Sequence, residues 1–197
     1  MAVNVSSIQF ARDTFVDEVA EVLRITGLSP ALLQIELTES VMVGGMEHVA
    51  QAMRRLSELG VSMAVDDFGT GYSSLSYLPS VPFGSLKIDR SFVNELEHRP
   101  DLENMIRSLV VLARNLGMRV IAEGVETRAQ LDLIGKLGGN EVQGYLLGKP
   151  TPDPMAFLKA HQEEQKRDVV IGQCRGIQAE LADNAAEPGM SVVEHAV

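Results

Sequence analysis

The sequence predicts an α/β fold built on a parallel sheet, and three observations carry that expectation. Short apolar runs alternate with amphipathic helical stripes through roughly the first three quarters of the chain. Leu59-Gly60, Leu116-Gly117 and Leu137-Gly138 each close a helix just ahead of a strand, as αβ loops with a glycine cap do. The notable polar residues stand where strands end, the face on which (β/α)₈ barrels build their active sites. A TIM-like barrel is expected, with an open doubly wound sheet as the structural alternative.

Taken in order, Ala2 to Ser6 reads as a short strand, and Phe15, Val16, Val19, Val22 and Leu23 stripe a helix that Gly27 ends. Leu33 to Leu37 is the next strand, finishing in Glu36-Leu37-Thr38-Glu39. A helix with Val49, Ala52, Met53, Leu56 and Leu59 on one face stops at Gly60. Val61, Met63 and Val65 alternate as a third strand that runs into Asp66-Asp67 and a Gly-Thr-Gly loop. Leu86-Lys87-Ile88-Asp89 is a fourth strand, set off by Pro82 and Gly84. Met105, Ile106, Leu109, Leu112, Ala113 and Leu116 stripe a helix ending at Gly117, ahead of a strand at Arg119 to Ala122. Thr127 caps a helix through Leu131, Ile134 and Leu137, and the last strand lies near Glu141-Val142-Gln143. Residues 159–197 change character: a charge run from His161 to Arg167 ends a helix, and an aperiodic tail expected to be disordered follows.

A chain of 197 residues can bury a substantial core, and 45% hydrophobic with 22% charged residues suits a globular protein. No apolar run approaches a membrane span of about 18 residues, and no basic-then-apolar segment opens the chain. A net charge of −10 without a basic cluster argues against a DNA or RNA polymer as partner. The single Cys174 excludes an internal disulfide and fits a reducing cytoplasm.

Adjacent carboxylates are costly to bury unless a cation sits between them. A lone Asp-Asp usually caps a helix, but here comparable residues recur at other strand ends: Asn4, Glu36, Lys87, Glu123 with Glu126, and Gln143. Oxygen donors without His or Cys suit Mg²⁺ or Mn²⁺. Two such ions about 4 Å apart are a known device for phosphodiester hydrolysis. Each residue also has an ordinary reading. Asn4 could bond a turn, Lys87 could pair with Asp89 or Asp66 on the surface, and Glu126 could be a helix-start charge.

Six motifs stand in the order of one family. They are Asn4 to Gln9, Glu36 to Ser40, Asp66 to Leu78, Leu86 to Val93, Ala122 to Thr127 and Gln143 to Leu146. Over residues 1–158 the chain resembles the EAL family of cyclic-di-GMP phosphodiesterases, whose domain is a TIM-like barrel. The resemblance implies hydrolysis of cyclic di-GMP to linear pGpG with two Mg²⁺ or Mn²⁺ ions in bacterial second-messenger signalling. It makes Asn4, Glu36, Asp66, Asp67 and Glu123 metal ligands, with Asp67 bridging. Lys87 would hold the attacking water, and Glu126, Gln143, Gly144 and Tyr145 would complete the shell around metal and substrate. Phe68, Gly69, Thr70, Gly71, Tyr72, Ser73 and Ser74 match a mobile loop of that family, which Glu39 would anchor. The family's Glu-Ala-Leu motif and its nearby Arg do not occur in these 197 residues. The resemblance begins at the third barrel strand, so about six of eight strands are expected, a barrel truncated at its N-terminus. Such a sheet should expose two unpaired edges and an apolar interior, and association as a homodimer or higher oligomer is expected to cover them. The alternative is a non-catalytic cyclic-di-GMP receptor or dimerisation module. Gly84, Gly139, Asn140 and Leu147 stand where the family often has other residues.

Overall fold

A computed structural model of the chain describes residues 1–44, 46–69 and 75–153. Thr70, Gly71, Tyr72, Ser73 and Ser74 of the expected loop, and the C-terminal segment 159–197, lie outside the described residues. Six strands form one sheet: β1 (Ala2–Asn4), β2 (Gln34–Thr38), β3 (Ser62–Phe68), β4 (Ser85–Ile88), β5 (Arg119–Glu123) and β6 (Glu141–Gln143). They lie in chain order and every neighbouring pair is parallel. The crossovers carry α1 (Ser7–Phe10), α2 (Phe15–Thr26), α3 (Met46–Glu58), α4 (Arg90–Glu95), α5 (Pro100–Asn115) and α6 (Arg128–Leu137). Six consecutive parallel strands that curl without closing are a half-barrel, with β1 and β6 as its edges among the described residues.

Helix ends follow local chemistry. Gly27 and Gly138 close α2 and α6 in the left-handed conformation that a glycine cap supplies. Thr127 caps α6 in a reciprocal box with Gln130, and Ser6 does the same for α1 with Gln9. The α1 and α4 helices escape a reading by periodicity because they last only 4 and 6 residues. Asp89, read above as the end of β4, instead caps α4 by accepting from the Ser91 amide at 3.0 Å.

The core lies on the convex side, between sheet and helices. Ile35, Leu37, Met63, Val65, Leu86, Ile88, Val120 and Val142 pack there with Met53, Leu56, Ile106, Val110 and Ile134. The concave side corrects the expectation of an apolar interior. Strand alternation turns Gln34, Glu36, Asp66, Ser85, Lys87, Glu123 and Glu141 inward. Several of these side chains pair with one another: Gln34 Nε2 donates to Ser85 Oγ at 2.7 Å, and Arg119 pairs with the buried Glu141. Most buried polar groups have such partners.

Two of the family departures have local roles. Asn140 Oδ1 accepts the Val120 amide at 2.9 Å, tying the approach to β6 onto β5. Gly139 lies against Ile134, whose Cγ2 would be 2.5 Å from an added Cβ, so a larger residue there would require a shift.

Candidate metal centre

The C-terminal ends of β2, β3, β4 and β5 bring Glu36, Asp66, Lys87 and Glu123 together. Lys87 Nζ lies 2.7 Å from Glu36 Oε2, 3.1 Å from Asp66 Oδ1 and 2.7 Å from Glu123 Oε1. That reach, from β4 across β3 to β2, is possible because the sheet is concave. Lys87 is only 4% exposed, so its ordinary reading as a surface ion pair fails. Burial is the largest single influence on its ammonium and pulls its pKa down. Hydrogen bonds to Glu123 and Glu36, with the charges of Glu123 and Asp66, outweigh burial and hold it above the usual lysine range.

Asp67 stands beside this group in an unusual backbone state. Its φ is 51°, in the left-handed region that Asp tolerates better than most residues, and the pairing of β3 with β4 shifts register between Val65 and Phe68. Without that irregularity, strand alternation would send Asp67 to the face opposite Asp66. The bulge lets both carboxylates join one cluster: oxygens of Asp66, Asp67 and Glu123 all lie within 4.8 Å of one another.

The cluster is short of positive charge. Among the described residues, four carboxylates (Glu36, Asp66, Asp67 and Glu123) stand around one ammonium. The Asp67 carboxyl is raised above the usual carboxylate range, first by burial, then by the charges of Asp66 and Asp89. Glu123 is raised by burial too, with Lys87 acting against it. Glu36 Oε1 is buried and has no hydrogen-bond partner among the described residues. All donors are oxygens. A hard divalent cation answers each feature: it takes oxygen ligands, supplies the missing charge and gives a buried carboxylate oxygen a partner.

The other expected residues divide. Asn4 pairs in register with Glu36 and is exposed on the edge strand β1. Gln143 pairs in register with Glu123, and its Oε1 is buried without a partner among the described residues. Gly144 packs on the Val125 backbone, and Tyr145 stands 59% exposed beyond it. Glu39 Oε1 accepts the Gly69 amide at 2.7 Å, directly after the Asp66-Asp67-Phe68 end of β3. Gly69 in turn lies against the Phe92 ring. Glu126 is exposed at the start of α6, where its amide donates to Gln130 Oε1, and it lies outside the Asp66–Asp67–Glu123 group. Its position is that of the ordinary helix-start charge.

Two residues of this region were given no part in the site by their sequence. Asp89 stands near enough to Asp67 for its charge to raise the Asp67 carboxyl while it caps α4, and the Asp-x-Ser spacing of the cap was its available signal. Tyr77 is buried, its hydroxyl without a partner among the described residues; burial, and then the charge of Glu39, pushes its pKa up to about 12. Nothing in its local sequence separates it from an ordinary core aromatic.

Comparison with known proteins agrees with this geometry. The EAL domain family model matches residues 1–150. The chain is 45% identical over 152 residues to the bifunctional diguanylate cyclase/cyclic di-GMP phosphodiesterase MucR of Pseudomonas aeruginosa, covering 77% of this chain and 22% of that protein. It is 36% identical over 167 residues to the cyclic di-GMP phosphodiesterase PdeR of Escherichia coli, covering 85% of this chain and 25% of the relative. The chain therefore spans about a fifth to a quarter of the length of these curated relatives. Among solved structures, the PaMucR phosphodiesterase in complex with c-di-GMP superposes with a TM-score of 0.74 at 44% identity, covering 79% of this chain and 63% of that one. The EAL domain of Mycobacterium smegmatis DcpA gives 0.76 at 39% identity, with 82% and 72% covered. A manganese/cy-diGMP complex of Klebsiella pneumoniae BlrP1 gives 0.69 at 28% identity, with 75% and 38% covered.

Proposed function

This chain belongs to the EAL domain family, and from that premise we propose that it hydrolyses cyclic di-GMP to linear pGpG at the strand-end carboxylate cluster. The observation that carries the reading is the convergence of Glu36, Asp66 and Glu123 on one buried lysine, with Asp67 swung in beside them. Solved EAL structures with c-di-GMP, one of them with manganese, support the choice of substrate and metal class.

Asn4, Glu36, Asp66, Asp67 and Glu123 would hold the two Mg²⁺ or Mn²⁺ ions, Asp67 among their shared ligands. Bound there, the ions would acidify a water and screen the charge of the phosphodiester. The environment of Lys87 in the metal-free chain favours the ammonium, so we give it a donor's part and not a base's. Its part is to donate hydrogen bonds to the attacking water and to offset charge developing on phosphate. Glu39 fixes the start of the loop after β3 through the Gly69 amide, and so holds Asp66 and Asp67 in place. Gln143, Gly144 and Tyr145 would receive the substrate at the neighbouring strand end, and Glu126 would approach it only from the rim. We place the reaction in the cytoplasm and expect the chain to work as a homodimer or higher oligomer.

A second reading is a receptor or dimerisation module that binds cyclic di-GMP without turnover. Titrating the chain with cyclic di-GMP in Mn²⁺ and in EDTA, with chromatography of the mixture afterwards, separates the two. The phosphodiesterase reading expects metal-dependent consumption of the dinucleotide. Saturable binding that is the same in EDTA, with the ligand recovered intact, would replace it with the receptor.

A further inference from the structure

One buried ammonium bonded to three carboxylates of a candidate metal centre is an unusual arrangement. A lysine whose part was only to hold a water would need one carboxylate to orient it, yet Lys87 Nζ is within 3.1 Å of Glu36, Asp66 and Glu123 at once. Two of those three, Asp66 and Glu123, also belong to the trio whose oxygens come within 4.8 Å of one another. The ammonium and a divalent cation would therefore draw on the same oxygens. Lys87 is 4% exposed, so the attraction is little screened by water.

We infer that Lys87 is a tethered cation that holds the ligand carboxylates together in the metal-free chain and competes with the first metal ion for them. This rests on the metal-centre reading above and deepens it. A metal ion bound by that trio would draw Asp66 or Glu123 away from Lys87, which would keep its contact with Glu36 Oε2. The ammonium becomes a free donor toward the reacting water only after that exchange. Its availability is thus coupled to metal occupancy, so the lysine is poised for catalysis only when metal is bound. Removing the competing charge should tighten metal binding, although it abolishes turnover. A like charge within about 4–6 Å typically changes the affinity of a site for a proton by about 10- to 1000-fold. A divalent ion should feel at least the lower figure.

The test is calorimetric titration of the full chain and of Lys87→Met with Mn²⁺ alone, without dinucleotide. Lys87→Gln, which keeps a donor but no charge, is titrated as a second variant. The inference expects both variants to bind the first Mn²⁺ at least about tenfold more tightly than the parent. It also expects Mn²⁺ to raise their melting temperatures more than it raises the parent's. Equal or weaker binding in the folded variants overturns it. If neither variant folds, even with Mn²⁺, a crystal structure of the parent loaded with Mn²⁺ decides the matter. Separation of Lys87 Nζ from Asp66 or Glu123 beyond ion-pair distance supports the inference, and retention of all three contacts overturns it. Failure of parent and variants alike to bind Mn²⁺ would overturn the metal centre itself, a different result from binding that the charge of Lys87 does not influence.

Discussion

Gly144 → Ala tests how the end of β6 is set against the loop that follows β5. A Cβ at Gly144 would stand 2.2 Å from Val125 O, 2.3 Å from Val125 N and 2.7 Å from Val125 C. These are backbone atoms of a fully buried residue, so no rotamer change relieves the overlap. The backbone there is also fastened on both sides. Val125 N donates to Gln143 O at 3.0 Å, and Val125 O accepts from Leu146 N at 3.0 Å. Ordinary overpacking costs about 1–3 kcal/mol. Displacing Val125 would also strain or break two hydrogen bonds worth about 1 kcal/mol each. We expect a loss of about 3 kcal/mol or more. Gly117→Ala is the control, because Gly117 has φ 72° and nothing within 4 Å of an added Cβ. Its cost is conformational alone, about 1–2 kcal/mol. Urea unfolding of the metal-free chain, followed by circular dichroism, measures both. A Gly144→Ala variant no less stable than Gly117→Ala would refute the packing described for β6. Because Gln143 and Glu123 flank this contact in register, turnover should fall with stability.

Two further predictions follow from the surroundings of the carboxylate cluster. Tyr77 is neutral in the folded chain up to about pH 12, whereas an exposed tyrosine ionises near 10. Its folded pKa is raised, so its contribution is fully present below about pH 10 and is lost as pH rises toward about 12. Tyr77→Phe should flatten that alkaline loss in urea unfolding and cost nothing at neutral pH, since the hydroxyl it removes has no partner among the described residues. An unchanged alkaline limb would show that the phenol is not shielded. Glu39→Gln exchanges a charged acceptor of the Gly69 amide for a neutral one, at about 1 kcal/mol in thermal unfolding. By loosening the segment after Asp67 it should lower turnover roughly tenfold or more, and parental stability and rate together would remove Glu39 from the site.

The order and class of the elements were legible because each apolar run and each glycine cap is local chemistry. Leu59-Gly60, Leu116-Gly117 and Leu137-Gly138 close their helices as expected, and the strands fall within a residue or two of their expected bounds. The carboxylates were legible for another reason. In a parallel sheet every strand's C-terminal end lies on one side, so a residue at such an end is a candidate wherever its neighbours are. What could not be read was which face each side chain takes and what it meets there. Asp67 joins Asp66 only through a shift of register. Glu126 looked equivalent to Glu123 in sequence, yet lies beyond the strand and stays at the surface. The polar concave side was missed because an alternating pattern shows two faces without saying which one the helices cover. The burial of Lys87 depends on carboxylates from three other strands, which only the curled sheet brings within reach.

The most direct test of the account is to incubate the chain with cyclic di-GMP and Mn²⁺ in water enriched in heavy oxygen, and to weigh the product. The account predicts pGpG carrying one heavy oxygen on its terminal phosphate, formed by the parent and lost both in EDTA and in a folded Asp66→Asn variant. Product formed equally well by Asp66→Asn, or no product from a demonstrably folded and metal-loaded parent, would contradict the claim that the strand-end carboxylates hold the ions that activate water.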